Sequence, residues 1–330
     1  MSRTEKVAAL VRLGQYLAGN DPALQTAKDQ AFQANGWFTE DFVNISLKNI
    51  CQYFLDEARL NNWLDGYPAI PAISRSVGIV AAGNIPLVGF HDWLCGFLSG
   101  HQVRLKLSSK DTVLMKHVID KIAEWYPEYA AQTQTQDMLK NCDAYIATGS
   151  NNSSRYFNYY FAQYPHIIRR NRTSAAILDG TETFEELEAL ADDIMIYFGL
   201  GCRNVTKVFV PENYNFDNLL KALGKYDSLA DHHKYKNNYD YNLALFLLNS
   251  SQYLTNGTIL LNESPSLFSP LSVLHYSYYT DAAALTEELK GNEDMQALVG
   301  HGFIPFGAAQ QPGLSDYADG VDTMQFLTTL

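Results

Sequence analysis

One cysteine in this chain has the setting of a nucleophile. Cys202 follows Gly-Leu-Gly in YFGLGCRNVTKVFVP (residues 197–211) and comes directly before what reads as a β-strand. Glycines allow positive φ and leave room for a substrate near the backbone. A thiol on such a turn, beside Arg203, can ionise more readily, and the thiolate is the attacking form. The competing reading is an inert core thiol, the usual fate of a lone cysteine. Cys51, Cys95 and Cys142 lie far apart with no CxxC pair, which argues against a zinc site or a disulfide framework.

Three further stretches place polar groups where strands end. AAGNIPL (81–87) puts Asn84 after a strand, where a carboxamide can donate to a developing oxyanion or simply cap a helix. RLKLSSKD (104–111) ends a strand on Lys106, which is either a ligand for a nucleotide's ribose or phosphate or an ordinary solvated lysine. ATGSNNSS (147–154) sets Gly149 and Ser150 on a strand–helix turn whose N–H groups can face a phosphate, or which is a tight turn with no ligand.

The elements that must hold these residues alternate. Residues 1–64 read as mainly helical, with Thr39 capping one helix over 40–60. VGIVAA (77–82), QVRLKLS (102–108) and AYIATG (144–149) read as strands, each followed by a helix, over 86–100, 112–126 and 151–164. SAAILDG and TKVFVP continue as strands around a helix ending in IMIYF. The stretch 215–250 is mostly helical, with strands at 257–263 and 271–279 beyond it. This pattern predicts an α/β fold with parallel sheets covered on both faces. It divides into two lobes meeting near residue 175, with a ligand cleft between them at strand carboxyl ends.

Net charge is −12 over 330 residues, against a nucleic-acid-binding surface. The most apolar stretch, 77–100, is interrupted by Asn84, Pro86, His91 and Asp92, so it is not a membrane span. No apolar signal core begins the chain, and a cytoplasmic protein is expected. His232 and His233 read as surface residues.

The order of these motifs resembles the aldehyde dehydrogenase superfamily. That family has an Asn-containing turn, a Lys-Pro-Ser-Glu strand end, a Gly-Ser turn and a Gly-Gln-x-Cys turn in this sequence. FIPFGAAQQPGLSDYADGVDTMQFL (303–327) is similar to its Pro-Phe-Gly-Gly segment and tail, and SPSLFSPLSVLHY (264–276) to its Glu-x-Phe-Gly-Pro-Val strand. The likeness covers about residues 70 to 330. Within the superfamily the chain most resembles the LuxC-type acyl-CoA reductases, which make fatty aldehydes from activated acyl groups with NADPH.

The resemblance implies a Rossmann-like cofactor domain at 1–175, with a returning tail at about 311–330, and a catalytic domain at 176–310. It implies that Cys202 accepts the acyl group and that Asn84 and the N–H of Cys202 form the oxyanion hole. Lys106 would bind the adenosine ribose, and Gly149 and Ser150 would border the pyrophosphate. In the Glu-x-Phe segment, alignment on Phe268 and Pro270 puts Ser266 in the glutamate's place, with Glu263 out of register. The general-base glutamate of hydrolytic members is absent, and about Arg169 stands there. That base activates water, so its loss fits acyl reduction better than aldehyde oxidation. NAD-preferring members often carry a glutamate three residues after the lysine. Here that position is Ser109, followed by Lys110, which favours NADPH over NADH. The implied partners are an acyl-CoA or other acyl thioester and a protein that transfers acyl groups. The chain is short and shows no oligomerisation hairpin, so no oligomeric state carries over. An acyl-phosphate reductase resembling glutamyl-phosphate reductases, or an inactive binding relative, are the alternatives.

Overall fold

The computed structural model describes residues 2–71 and 73–330. The chain divides into two units, Met1–Asn171 with Pro312–Leu330, and Arg172–Gln311.

The first unit opens with four helices, α1 (Arg3–Leu17), α2 (Pro22–Ala34), α3 (Glu40–Asn49) and α4 (Glu57–Leu64). Thr39 caps α3 as its sequence predicts, its hydroxyl accepting from Phe42 N–H. The single helix expected over 40–60 is two. After Asn49 the chain widens into a π turn, Ile50–Phe54, and Asp56 then caps α4 through Arg59 N–H. An aspartate in the middle of an apolar rhythm was the available stop signal.

Its five-stranded sheet holds β1 (Ser76–Val80), β2 (Gln102–Lys106), β3 (Thr133–Thr135), β4 (Ala144–Thr148) and β5 (His166–Arg169), in the order β3-β2-β1-β4-β5. All four pairings are parallel. The order reverses between β1 and β4, so the sheet is doubly wound with its switch point there. The helices between strands are α5 (Phe90–Ser99), α6 (Val113–Trp125) and α7 (Asn151–Phe161). Helix α5 starts four residues later than its sequence suggests, because residues 84–89 form turns and Leu87 adopts a left-handed conformation (φ 58°). Nearly all of it is buried, Asp92 included, and that aspartate is kept there by an ion pair. β3 and β5 escape a reading by hydrophobic run because they are edge strands of three and four residues.

The C-terminal segment packs into this unit's core through Leu314, Tyr317, Met324 and Leu327. His101 ties it down: its Nδ1 accepts from Arg75 N–H, so its Nε2–H donates to the Leu327 carbonyl at 2.8 Å. Arg169, at the end of β5, forms a buried ion pair with Asp92 of α5 and donates to Thr323 Oγ1 at 2.7 Å on the C-terminal helix Thr323–Thr328.

The second unit is built on β6 (Thr173–Ile177), β7 (Val205–Pro211), β8 (Leu254–Thr255), β9 (Leu260–Glu263), β10 (Val273–Tyr279) and β11 (Met295–Gly300), ordered β11-β6-β7-β10-β9-β8. Only the β8–β9 pair, at one edge, is antiparallel. Its helices are α8 (Phe184–Met195), α9 (Asp217–Leu223), α10 (His233–Leu248) and α11 (Ala282–Lys290). The helix expected to run through IMIYF stops at Met195. Tyr197 and Phe198 have φ near 57° and 58°, which no α-helix accommodates.

The Arg169–Asp92 pair generates a stability prediction. Arg169→Met leaves a buried aspartate without its partner and should cost about 3–5 kcal/mol by chemical denaturation. The double variant Arg169→Met/Asp92→Leu should recover most of that loss.

Candidate active site

In the first unit, three turns leave the carboxyl ends of adjacent parallel strands β2, β1 and β4. Asn84 sits on the β1 turn, Lys106 ends β2, Ser109 and Lys110 follow it, and Gly149 and Ser150 follow β4. The fold thus brings these six residues to one edge of one sheet, at the switch point where doubly wound proteins take ligands.

Asn84 is partly exposed and is not the cap of α5, since that helix begins after Gly89. This removes the capping explanation for a carboxamide at that position. Lys106, Ser109 and Lys110 are exposed. Arg104, on the same face of β2 as Lys106, donates to the side chains of Gln102 and Gln134. The β4 turn is more fully committed. Gly149 N–H donates to the Arg169 carbonyl at 3.2 Å, extending the β4–β5 ladder, so it is not the phosphate donor that the turn suggested. Ser150 caps α7, its hydroxyl accepting from Ser153 N–H. Gly149 is still required as glycine, because a Cβ would lie 2.8 Å from Ser153 Cβ.

Cys202 belongs to the second unit and is partly exposed. Its turn joins α8 to β7, so the thiol stands at the amino end of its strand, not the carboxyl end that the general rule for open sheets suggests. The turn is held by Asn204, which is fully buried. Its amide Nδ2 donates to the carbonyls of Asp193, Ile194 and Ile196 at 3.0, 3.3 and 2.9 Å. The first two carbonyls belong to the last turn of α8, which leaves them without intrahelical donors. Its Oδ1 accepts Gly201 N–H at 2.7 Å, and Ser174 Oγ donates to the Cys202 carbonyl at 3.1 Å. One asparagine therefore caps the helix from outside and fixes the residue before the cysteine. Sequence reasoning missed it; an asparagine two residues after a glycine-flanked cysteine was the only signal.

The same helix end organises a second segment. Asp193, fully buried, accepts Gly307 N–H at 2.7 Å and Ala309 N–H at 2.9 Å. Burial pushes its carboxyl up to about 7, against the opposing pull of those two N–H groups. The Pro-Phe-Gly segment (305–307) is thus tied to the helix that carries the cysteine turn. Phe198 packs on His232 with ring centroids 4.5 Å apart, and His232 caps α10 by accepting from Tyr235 N–H. Of the two histidines expected at the surface, only His233 is exposed.

The loop at 264–268 is held by its carbonyls. Lys207, buried on β7, donates to Ser264 O, Tyr276 O and Ser277 Oγ, and Thr206 Oγ1 donates to Leu267 O at 2.7 Å. Burial lowers the Lys207 ammonium to about 8. Ser266 donates its hydroxyl to Phe268 O, and Glu263 is exposed.

This doubly wound sheet followed by a second, mostly parallel sheet is the aldehyde dehydrogenase fold. The solved structures it is similar to include the AldA indole-3-acetaldehyde dehydrogenase of P. syringae in complex with NAD+ and IAA (13% identity, TM-score 0.64, 91% of this chain and 72% of that one). They also include a Mycobacterium tuberculosis aldehyde dehydrogenase complexed with NAD+ (14%, 0.62, 91% and 73%) and aldehyde dehydrogenase 21 of Physcomitrella patens with succinate (11%, 0.66, 91% and 74%). No curated protein sequence matches the chain. The family model for acyl-CoA reductase (LuxC) matches residues 51–233, more than half of the chain and a span that holds Asn84, Lys106, Gly149 and Cys202. The chain belongs to that family, and it is an oxidoreductase of aldehyde chemistry. No helix among the described residues is long and apolar enough to cross a membrane.

The Asn204 bracket predicts an order of stabilities. Asn204→Ala strands several buried partners and should cost on the order of 3 kcal/mol. Asn204→Asp should be worse, because it turns a carboxylate oxygen toward three carbonyls. Urea denaturation with tryptophan fluorescence checks this ranking.

Proposed function

We propose that the protein reduces an acyl thioester, an acyl-CoA with a fatty acyl chain, to the aldehyde through an acyl-enzyme on Cys202. The observation that carries this is the cysteine turn itself, fixed by Asn204 and Ser174 within a family of acyl-CoA reductases. The first unit is the cofactor domain and the second the catalytic domain.

Lys106, Ser109 and Lys110 would hold a nicotinamide cofactor, and their exposure at the switch-point edge fits that group. The cofactor supplies a hydride. Several solved structures of the same fold are NAD+ complexes. Ser109 offers a hydroxyl where a carboxylate would repel a 2′-phosphate, and Lys110 brings a positive charge, so NADPH is the better fit.

The Cys202 thiolate attacks the thioester carbonyl and expels the CoA thiolate, which leaves with a proton from solvent. Asn84 and the Cys202 N–H donate to the tetrahedral oxyanion. After reduction the thiohemiacetal on Cys202 passes through a second oxyanion, which collapses to free aldehyde and regenerates the thiolate. Both oxyanions carry charge on the same atom, so one set of donors serves both. Arg169 stands where hydrolytic enzymes of this fold carry their base, and its guanidinium is committed to Asp92 and Thr323. It cannot activate water, so the acyl-enzyme lasts until hydride arrives.

Anaerobic incubation with acyl-CoA alone should give one acyl adduct on Cys202 by intact mass, and Cys202→Ser should give none. Acylation by an acyl phosphate but not by acyl-CoA would transfer the reading to an acyl-phosphate reductase. No adduct from either would mean a protein without this chemistry. Aldehyde with NAD+ or NADP+ and no thiol acceptor should give little free acid.

Cofactor choice is checked by fluorescence titration. NADPH should bind more tightly than NADH. Ser109→Glu should weaken NADPH far more than NADH, since a desolvated like-charge contact costs several kcal/mol, roughly. Equal dissociation constants in the unmodified protein would remove the NADPH assignment.

A further inference from the structure

Asp111 is one of the most deeply buried carboxyls in the first unit, with 3% of its surface exposed. It follows the β2 strand end that carries Lys106, Ser109 and Lys110. Its Oδ2 accepts Leu87 N–H at 2.6 Å, across to the turn that carries Asn84. Its Oδ1 is buried and has no hydrogen-bond partner. An orphaned buried oxygen costs about 1–3 kcal/mol, and a buried carboxyl is a poor choice where only one N–H needs an acceptor. A residue that breaks this rule beside a candidate site calls for a reason in function.

The surrounding contacts supply that reason. Leu87 is a leucine in the left-handed region (φ 58°), a conformation that persists only when neighbours enforce it. Asp111 enforces it from one side. From the other, Ser46 Oγ donates to the Pro86 carbonyl at 2.8 Å. At the start of the turn, Gly83 lies directly on the β2 turn, where a Cβ would come within 2.5 Å of Ser108 Oγ and 3.2 Å of Asp111 N. The β2 turn is itself braced: Asp111 N–H donates to Ser108 O, Lys110 N–H to Ser108 Oγ, and Asn35 Nδ2 to Lys110 O. Asn84 lies between the Gly83 contact and the Leu87 hydrogen bond.

We infer that Asp111 is a positioning residue, fixing the turn that carries Asn84 to the strand end that carries Lys106. It touches neither substrate nor cofactor and acts through the oxyanion donor. This rests on the reading of Asn84 as that donor. What Asp111 contributes is an acceptor, not a charge. Burial pushes its carboxyl up to about 7, so near neutrality a large share of it carries a proton, and the Leu87 N–H is the interaction that pulls the other way. The amide of an asparagine keeps an acceptor of the same shape and gives the second position a donor in place of the orphaned oxygen.

The test is a double-variant cycle read on acylation of Cys202, which needs no nicotinamide: the rate of CoA thiol release from acyl-CoA in a single turnover, followed by a thiol reagent. Asn84→Ala should slow acylation by about 10²–10³. Asp111→Ala should slow it by up to about 10², the effect of a misplaced donor. The double variant should be no slower than Asn84→Ala, to within about twofold. Asp111→Asn should restore the rate of the unmodified protein. Should Asp111→Ala fail to fold, Asp111→Leu fills the site without an acceptor and takes its place in the cycle.

Effects that multiply in the double variant, or an Asp111→Asn variant as slow as Asp111→Ala, would overturn the inference while leaving Asn84 as the donor. An Asn84→Ala variant with unchanged acylation overturns the Asn84 reading itself, and the role of Asp111 with it. NADPH affinity, titrated in parallel, should move less than fivefold in Asp111→Asn, roughly one kcal/mol or less.

Discussion

The second unit depends on a helix that stops. After Met195 the chain turns through two residues with positive φ, and the carbonyls that end α8 are left without intrahelical donors. Asn204 supplies those donors from the far side of the turn and uses its remaining oxygen to hold Gly201 N–H. An amide is the one small side chain with donors and an acceptor on one rigid plane. A helix end and the residue before the cysteine are thereby fixed by the same group. Asp193, on the last turn of the same helix, does the converse by accepting two N–H groups of the 307–309 segment. Buried groups of this kind are costly alone, and each is stable here because its partners are backbone atoms with nowhere else to bond.

The first unit solves a related problem with charge. Arg169 and Asp92 are buried together, and the guanidinium also reaches Thr323. A buried ion pair is a modest source of stability but a strict one, since neither partner tolerates loss of the other. It joins a strand end, the central buried helix and the C-terminal helix. Arg169 is thus a structural cation, held inside the core by its partners.

Two of the turns at the carboxyl edge of the first sheet share a device. Asn84 and Lys106 stand on neighbouring strands, and their turns are in direct contact through Gly83, Ser108 and Asp111. Backbone conformations as unfavourable as that of Leu87 persist where the surroundings over-determine them, and such places cluster at functional sites. The β4 turn is built differently. Gly149 N–H is committed to the ladder and the Ser150 hydroxyl to the cap of α7, which holds that turn from both sides.

Much of this was legible in the sequence. The buried runs at 77–80 and 144–148 declared central strands, because a strand covered on both faces has apolar residues throughout. Thr39 declared a helix start, and the order of the turns around Asn84, Lys106, Gly149 and Cys202 declared a family. Short polar edge strands such as β3 stayed hidden, since three residues carry no periodicity. What the sequence could not contain is which distant atom answers which. That Asn204 returns to residues 193–196, that Asp111 reaches Leu87, that Arg169 pairs with Asp92 and that Gly149 N–H is already taken are facts about separations of 3 Å between groups 8 to 77 residues apart. Local pattern decides where a strand or helix forms because its energetics involve near neighbours. Hydrogen bonds between buried polar groups exist only once the chain has closed around them, and only tertiary structure decides their partners.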